Sequence, residues 1–251
     1  MVTVEHLLIL GDCIEVMEKM DDKSVDFIFT DPPYGHFNND DDLAARREYV
    51  FGGKPGEKRP IANDGLDADA LFRKAVDQFY RILKPGACVC CCCAGGGGRD
   101  VSYATWSLYI DEVLDFKHMI VWDKGPMGMG WHYRRSYELI LVAQRQGAKC
   151  KWYDATNRIE NIIRPGYKGI RKLIPGPENH PTEKPVNLVK HFMTLHTEPG
   201  DLVLDPFMGR GTTGVACEEL GRNFIGIETD EYWYQKAKER IDCIKAQEVL
   251  E

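Results

Sequence analysis

The sequence predicts an α/β layered fold with a mostly parallel sheet, and three observations predict it. Short apolar runs of strand character alternate with helical patterns along most of the chain. Two of those runs end abruptly in loops of unusual chemistry, FIFTDPPYG at residues 27–35 and LVLDPFMGRGTTG at residues 202–214. The 251 residues are 43% hydrophobic, enough to bury the core of one large domain. No apolar run approaches the roughly 18 residues of a membrane span.

The elements follow in order. Val4–Leu10 reads as a strand ending in Gly11-Asp12, and Ser24–Thr30 as a second one. After it come two prolines, which cannot donate backbone hydrogen bonds and which hold the residues before them extended. Asp31 therefore cannot begin a helix and is expected to sit rigidly at the carboxyl end of its strand, with Tyr34 in the loop beyond. Residues 36–64 are polar, rich in glycine and charge, and read as a long loop over an active-site face. Ala68–Leu83 carries Leu71, Ala75, Phe79 and Ile82 near helical spacing, and Lys84-Pro85-Gly86 is expected to stop that helix before a cysteine-rich strand. Lys117–Trp122 and Tyr137–Ala143 read as two more strands. Leu202–Asp205 and Phe224–Glu228 flank a helix from about Thr212, and a last helix places Trp233, Ala237, Ile241 and Ile244 on one face. There is no internal repeat, so a single domain spanning residues 1–251 is expected.

The nine cysteines include Cys88 and Cys90–Cys93 in ACVCCCCAG. Contiguous cysteines on a strand point to opposite faces and lack the spacing of known zinc sites. They read as small hydrophobes of a buried strand in a reduced, cytoplasmic setting, and no metal is expected. The N-terminus has an acidic residue and no basic region of the signal-peptide kind. Net charge is −7, which disfavours generic nucleic-acid binding, but the charge is uneven. Between Arg145 and Lys172 eight Lys/Arg face only Asp154 and Glu160, whereas residues 217–251 hold nine acids against five bases. A local basic segment can bind phosphates whatever the global sum.

The loop after Asp205 is the second chemical signal. Gly209-Arg210-Gly211 opens a helix at Thr212 and Thr213; glycines let a ligand approach the backbone, and a helix N-terminus favours an anion. The next strand ends in Glu228, about 20 residues on, where an acid can bond ribose hydroxyls. Strand, G-x-G, helix, strand and acid together favour a nucleoside ligand. The P-loop pattern is absent, which disfavours ATP hydrolysis, and a nucleotide-dependent oxidoreductase would need a different glycine pattern.

DPPYG early in the chain and DPFMGRGTTG late in it, with a basic segment between, resemble the amino-group DNA methyltransferases that use S-adenosylmethionine, in their circularly permuted beta class. GDC at 11–13, RILKPGA at 81–87, WDKG at 122–125, YELIL at 137–141 and HPTEKP at 180–185 extend the resemblance over nearly the whole chain outside residues 36–62 and 150–178. It implies a doubly wound, mostly parallel sheet with one antiparallel strand, in which the Asp31 and Asp205 strands lie side by side although about 170 residues apart. It implies catalysis by Asp31, Pro32, Pro33 and Tyr34. Asp31 and the Pro32 carbonyl would accept the hydrogens of an exocyclic base amine, and Tyr34 would stack on a base flipped from the duplex. It assigns S-adenosylmethionine to Asp12, Asp31, Thr182, Lys184, Asp205, Phe207, Gly209, Gly211, Thr212, Thr213 and Glu228. The alternative to the cofactor role is a helix cap for Asp12 and a solvated charge for Lys184.

For double-stranded DNA the candidates are Arg134, Arg135, Arg158, Arg164, Lys168, Arg171 and Lys172, with residues 149–179 as the target-recognition insert; any one of these is otherwise a solvated charge. His36 and Phe37, next to the catalytic loop, are placed equally well near the base or at the surface. The aspartate of DPPY leans toward adenine N6, with cytosine N4 the nearest alternative and a catalytically silent DNA-binding subunit the alternative of another class. A homodimer and a partner nuclease of a restriction–modification system are compatible with the family, and no residue pattern requires either.

Overall fold

A computed structural model describes residues 4–34, 67–94, 102–126, 132–134, 136–170 and 183–248. Its strands are β1 (His6–Leu10), β2 (Val25–Thr30), β3 (Leu83–Ala94), β4 (Asp115–Asp123), β5 (Tyr137–Gln144), β6 (Ile162–Ile163), β7 (Leu202–Asp205) and β8 (Asn223–Glu228). The helices are α1 (Cys13–Glu18), α2 (Ala68–Ile82), α3 (Ser102–Val113), α4 (Val186–His196), α5 (Thr212–Leu220) and α6 (Glu231–Glu248). The strands form one sheet in the order β1-β8-β7-β2-β3-β5-β4-β6. Among the described residues, β5 is the one strand antiparallel to its neighbours, β3 and β4.

The sequence dictates the layering through side-chain alternation. Successive residues on a strand face opposite ways, so the cysteine run splits: Cys91 and Cys93 pack on one face with α1, α2 and α3, and Cys88, Cys90 and Cys92 on the other with α4, α5 and α6. All five are buried, so a sheet covered on both sides uses them as the small hydrophobes expected of them. Phe72 stacks on Trp106 at 4.1 Å over the first face, and Phe27, Phe29 and Phe192 fill the second.

Two expectations change. Lys84-Pro85-Gly86 does not separate helix from strand but lies inside β3 as a bulge, because Val25 pairs with Leu83 and Phe27 with Cys88. Gly86 takes φ +84°, a conformation open to glycine, and its N–H donates to the Arg145 carbonyl at 2.9 Å. The pairing to β5 thus survives the bulge. Helices α3 and α4 escaped the periodicity reading. Helix α3 has one acidic pair and otherwise mixed apolar residues, and α4 buries residues almost all round, so neither shows a clean polar face.

The chain winds outward from the β2–β7 junction in both directions, through β3 on one side and β8 and β1 on the other. Ligands of such sheets bind outside the strand carboxyl ends at this switch point, where β2 ends before Asp31 and β7 ends in Asp205. Gly209 and Gly211 in the loop after β7, with Gly214 in the first turn of α5, do fall at G-x-G-x-x-G spacing, so, against the sequence expectation, the glycine pattern by itself does not set this loop apart from a dinucleotide site. The third glycine sets how closely α5 packs: a Cβ there would lie 2.4 Å from Ile241 Cδ1 and 2.8 Å from Phe224 Cε1. Gly214→Val is expected to lower the unfolding free energy by about 1–3 kcal/mol through overpacking, read as a lower urea midpoint at unchanged slope.

Candidate active site

Asp31 stands at the end of β2, followed by buried Pro32. Its two oxygens have different partners: Tyr34 Oη donates to Oδ1 at 2.5 Å and Lys184 Nζ donates to Oδ2 at 2.5 Å. Lys184 also lies 3.4 Å from Glu138 on β5, and Lys124 at the end of β4 donates to the other Glu138 oxygen at 2.6 Å. Two acids and two bases therefore alternate from β4 to β2 at one edge of the sheet.

Burial pushes the Asp31 carboxyl upward, with the Lys184 ammonium pulling the other way. Burial also opposes the charge on Lys184, but the carboxylates of Asp31 and Glu138 outweigh it and hold that amine above the usual lysine value. Glu138 is held below the ordinary range because Lys184 and Lys124 overcome the effect of its burial. Burial, together with the Asp31 charge, raises the Tyr34 phenol well above its normal value, so its hydroxyl remains a donor. The Tyr34 ring rests 5.9 Å from Trp106, and Trp106 is fixed by a 2.7 Å bond from its indole nitrogen to Asp69.

Across the junction, Asp205 accepts from Thr213 Oγ1 at 2.6 Å and from the Phe207 N–H at 3.1 Å. Burial pushes its carboxyl up to about 7. Glu228 accepts the Gly209 N–H on Oε2 at 2.8 Å and the Thr229 and Asp230 N–H groups on Oε1 at 2.9 Å each. With two lone pairs per oxygen, Oε2 retains one for a hydroxyl. Burial again raises this carboxyl, against those backbone donors. Gly209 and Gly211 take positive φ, +52° and +76°. A Cβ at Gly209 would meet nothing within 4 Å, so the backbone there is open to a ligand. Asp31, Lys184, Asp205, Phe207, Gly209, Thr212 and Thr213 line one cleft, with Phe29 and Met208.

Asp12, expected at either a ligand or a cap, caps α1: its Oδ1 accepts from Ile14 N at 2.8 Å and Glu15 N at 3.1 Å. The residue before it is tied to the ligand-side acid, because Gly11 N donates to the Glu228 carbonyl at 2.9 Å. Thr182, His36, Phe37, Arg135, Arg171, Lys172 and the loop at 36–64 lie outside the described residues, as does the 171–179 part of the expected recognition insert.

A model of the N6/N4 DNA methylase family matches residues 25–239. The chain belongs to that family. Among curated relatives, this methylase is 28% identical over 260 residues to the type II methyltransferase M.HinfI of Haemophilus influenzae, a match covering 96% of the chain and 69% of that protein. Among solved structures it superposes with M1.HpyAVI in complex with S-adenosylmethionine at a TM-score of 0.64 and 24% identity, covering 94% of this chain and all of the other. It also superposes with the cytosine-N4-specific PvuII DNA methyltransferase at a TM-score of 0.70 and 17% identity, covering 97% and 92% of the two chains. The doubly wound sheet is thus the fold of known methyltransferases. Among the described residues, no helix of the methylase is long and apolar enough to cross a membrane.

The later part of the methylase's basic segment, about residues 164–170, lies at the same edge as the cleft. Pro165 lies beside Gly125, just past Lys124, and Gly169 beside Asn187 in the first turn of α4, just past Lys184. Arg134, Arg158, Arg164 and Lys168 are exposed. Arg164 pairs with Glu160 four residues earlier, and Lys168 sits over the Tyr167 ring at 5.5 Å. Sequence reasoning named motifs containing Lys124, Glu138 and Glu183 but gave these residues no role. Glu183 ties the Lys184 strap to the glycine loop through Arg240 at 2.7 Å and Arg210 at 3.6 Å. Their signal was present: charged residues inside strands or beside prolines, where solvent alone does not explain them.

Two outcomes are expected. Lys184→Met leaves Asp31 and Glu138 without their shared cation and should cost about 3–5 kcal/mol of stability at neutral pH, less in acid, measured by chemical denaturation across pH. For Asp205, the folded pKa of about 7 exceeds the ordinary 3.8, so the folded chain holds the proton more tightly. The corresponding stability is full below about 4 and is lost as pH rises through about 7. Asp205→Asn should remove that dependence, flattening the ligand-free melting temperature between those limits relative to the unsubstituted chain.

Proposed function

We propose that this methylase transfers a methyl group from S-adenosylmethionine to adenine N6 in a specific duplex site, with the target base flipped into the cleft. The observation that carries the proposal is the junction itself: pairing of β2 with β7 brings the Asp31 carboxylate and the Gly209–Gly211 loop to one cleft. The residues present suit this cofactor. The open backbone at Gly209, the remaining acceptor on Glu228 and the N-terminus of α5 match a sulfonium ligand that carries a ribose and a carboxylate. When bound, S-adenosylmethionine supplies an electrophilic methyl group.

The protein's part is positioning and electrostatics. An exocyclic amine is a weak nucleophile because its lone pair is delocalised into the ring. Asp31 and the Pro32 carbonyl accept its two hydrogens and leave the lone pair directed out of the base plane. Lys184 holds Asp31 as an acceptor by occupying Oδ2, while Oδ1 is held by Tyr34. A base entering the cleft replaces that phenol on Oδ1, and the released ring becomes the stacking surface. A single hydrogen bond thus serves as a placeholder for the substrate. Arg134, Arg158, Arg164 and Lys168, with Arg135, Arg171 and Lys172, supply phosphate or base contacts, and residues 149–179 carry the target recognition. The whole chain acts as one catalytic domain with cytoplasmic DNA as its substrate. A companion nuclease of a restriction–modification system accords with the likeness to a type II methyltransferase, and a homodimer is compatible with the same reading.

The test is incubation with methyl-labelled S-adenosylmethionine and mixed-sequence duplex DNA, followed by nucleoside mass spectrometry. N6-methyladenine is expected. N4-methylcytosine would keep the machinery and overturn the choice of base; cofactor binding with no methylated base would favour a silent DNA-binding subunit. Asp31→Ala should reduce methyl transfer by at least about 10²-fold while cofactor affinity, measured by calorimetry, changes by much less.

A further inference from the structure

We propose that Cys88, Cys150 and His196 form a binding site for a thiophilic divalent metal such as zinc, toward the strand ends opposite the one where Asp31 sits. The three residues come from separate elements: Cys88 from β3, Cys150 from the chain just beyond β5, and His196 from the last turn of α4. Their Sγ, Sγ and Nδ1 atoms all lie within 4.8 Å of one another. The two sulfurs are 3.1 Å apart and Cys150 Sγ is 4.0 Å from His196 Nδ1. Tetrahedral coordination with Zn–S near 2.3 Å and Zn–N near 2.0 Å would set those separations at about 3.8 and 3.5 Å. Side-chain adjustments under about 1 Å suffice.

The surroundings favour this reading. Two thiolates neutralise a divalent cation, so the loaded site is uncharged and suits the low-dielectric position of Cys88 and His196, both at least nine-tenths buried. The imidazole is held in place: its ring stacks on Phe27 at 5.6 Å and meets Trp152 edge-on at 5.3 Å. Without metal, Cys150 Sγ and His196 Nδ1 both face the Lys151 carbonyl at 3.3 Å. Binding replaces the two thiol protons, which pass to solvent, and leaves the imidazole proton on Nε2. Cys150 is only half-buried, so the fourth position opens to water. Two thiolates and an imidazole select a soft or borderline ion over magnesium or calcium.

The site fixes the start of the basic segment. Cys150 opens it, Lys151 is already bonded to Asp26 and Asp201 at 3.0 Å, and Tyr153 N donates to the Leu195 carbonyl at 3.0 Å. A metal ion there would clamp the root of that segment to the central sheet and α4.

The experiment titrates cobalt(II) into the full-length protein, first freed of metal by a chelator and kept reduced with a phosphine. The expected result is a stoichiometric thiolate-to-cobalt charge-transfer band with tetrahedral ligand-field bands, displaced by zinc(II), and a higher melting temperature with zinc. Cys150→Ser and His196→Asn should each lose the band while keeping the far-ultraviolet circular dichroism of the unsubstituted chain. No band, or a band undiminished in both variants, overturns the proposal. So does a Cys88–Cys150 disulfide in protein made without reductant if no cobalt band appears after reduction. Should the variants misfold, alkylation of the unsubstituted chain decides: zinc must protect the half-buried Cys150, and equal labelling of Cys150 with and without zinc overturns the site.

Discussion

The Lys184–Asp31 ion pair is the interaction on which the remaining arrangement at the cleft depends. It joins residues 153 apart in sequence and closes the segment before α4 over the end of β2. A buried charge pair is seldom a net source of stability, because two ions must leave water. Its value here is placement. Lys184 settles one oxygen of Asp31, shares itself with Glu138, and through Lys124 reaches the end of β4. Its neighbour Glu183 reaches the other way, to Arg210 and Arg240. Two consecutive residues of opposite charge thus fasten the same short strap to both halves of the sheet.

Much of the fold was legible from local chemistry. FIFTDPPYG and LVLDPFMG each announce a buried strand that must stop, and the structure places the stops side by side. The cysteine run was legible because alternation leaves a contiguous run only one comfortable setting, a strand covered on both faces. The bulge at Lys84-Pro85-Gly86 was not, since proline and glycine normally read as a break, and only pairing with β5 keeps the strand continuous through them. Helices α3 and α4 were missed for other reasons: α3 buries one row, Ser102, Trp106 and Ile110, but carries apolar residues such as Leu108 on its exposed side, and α4 is buried on most sides, so neither shows the polar stripe by which a helix is recognised.

The cleft was legible in part. Asp31, Lys184, Asp205, Gly209 and Glu228 stand in motifs whose residue types already suggest chemistry. Glu138 was passed over because a lone acid in YELIL also reads as the polar face of a strand; its meaning comes from two lysines that reach it from the end of β4 and from the start of α4. Asp12 illustrates the converse, a carboxylate whose first duty is local: one oxygen terminates α1, leaving the other for anything further. The Cys88–Cys150–His196 cluster could not be found by spacing, since its members are 62 and 46 residues apart and only the sheet register brings them together.

The position of β7 has a consequence for how the protein comes into being. Until residues 202–205 exist and insert, β2 shows a bare edge, and β1 has no partner until β8 arrives, because β2 pairs with β7 and β1 with β8. A chain emerging from the ribosome therefore carries a wholly buried-type strand that can pair with β3 on one side but has its other edge open, at what will become the middle of its sheet, for most of its synthesis. Exposed edges of that kind invite pairing with other chains. The permuted order that joins the two chemical loops so late also keeps the cleft from existing in any incomplete copy: a truncated or nascent chain presents Asp31 without the glycine loop.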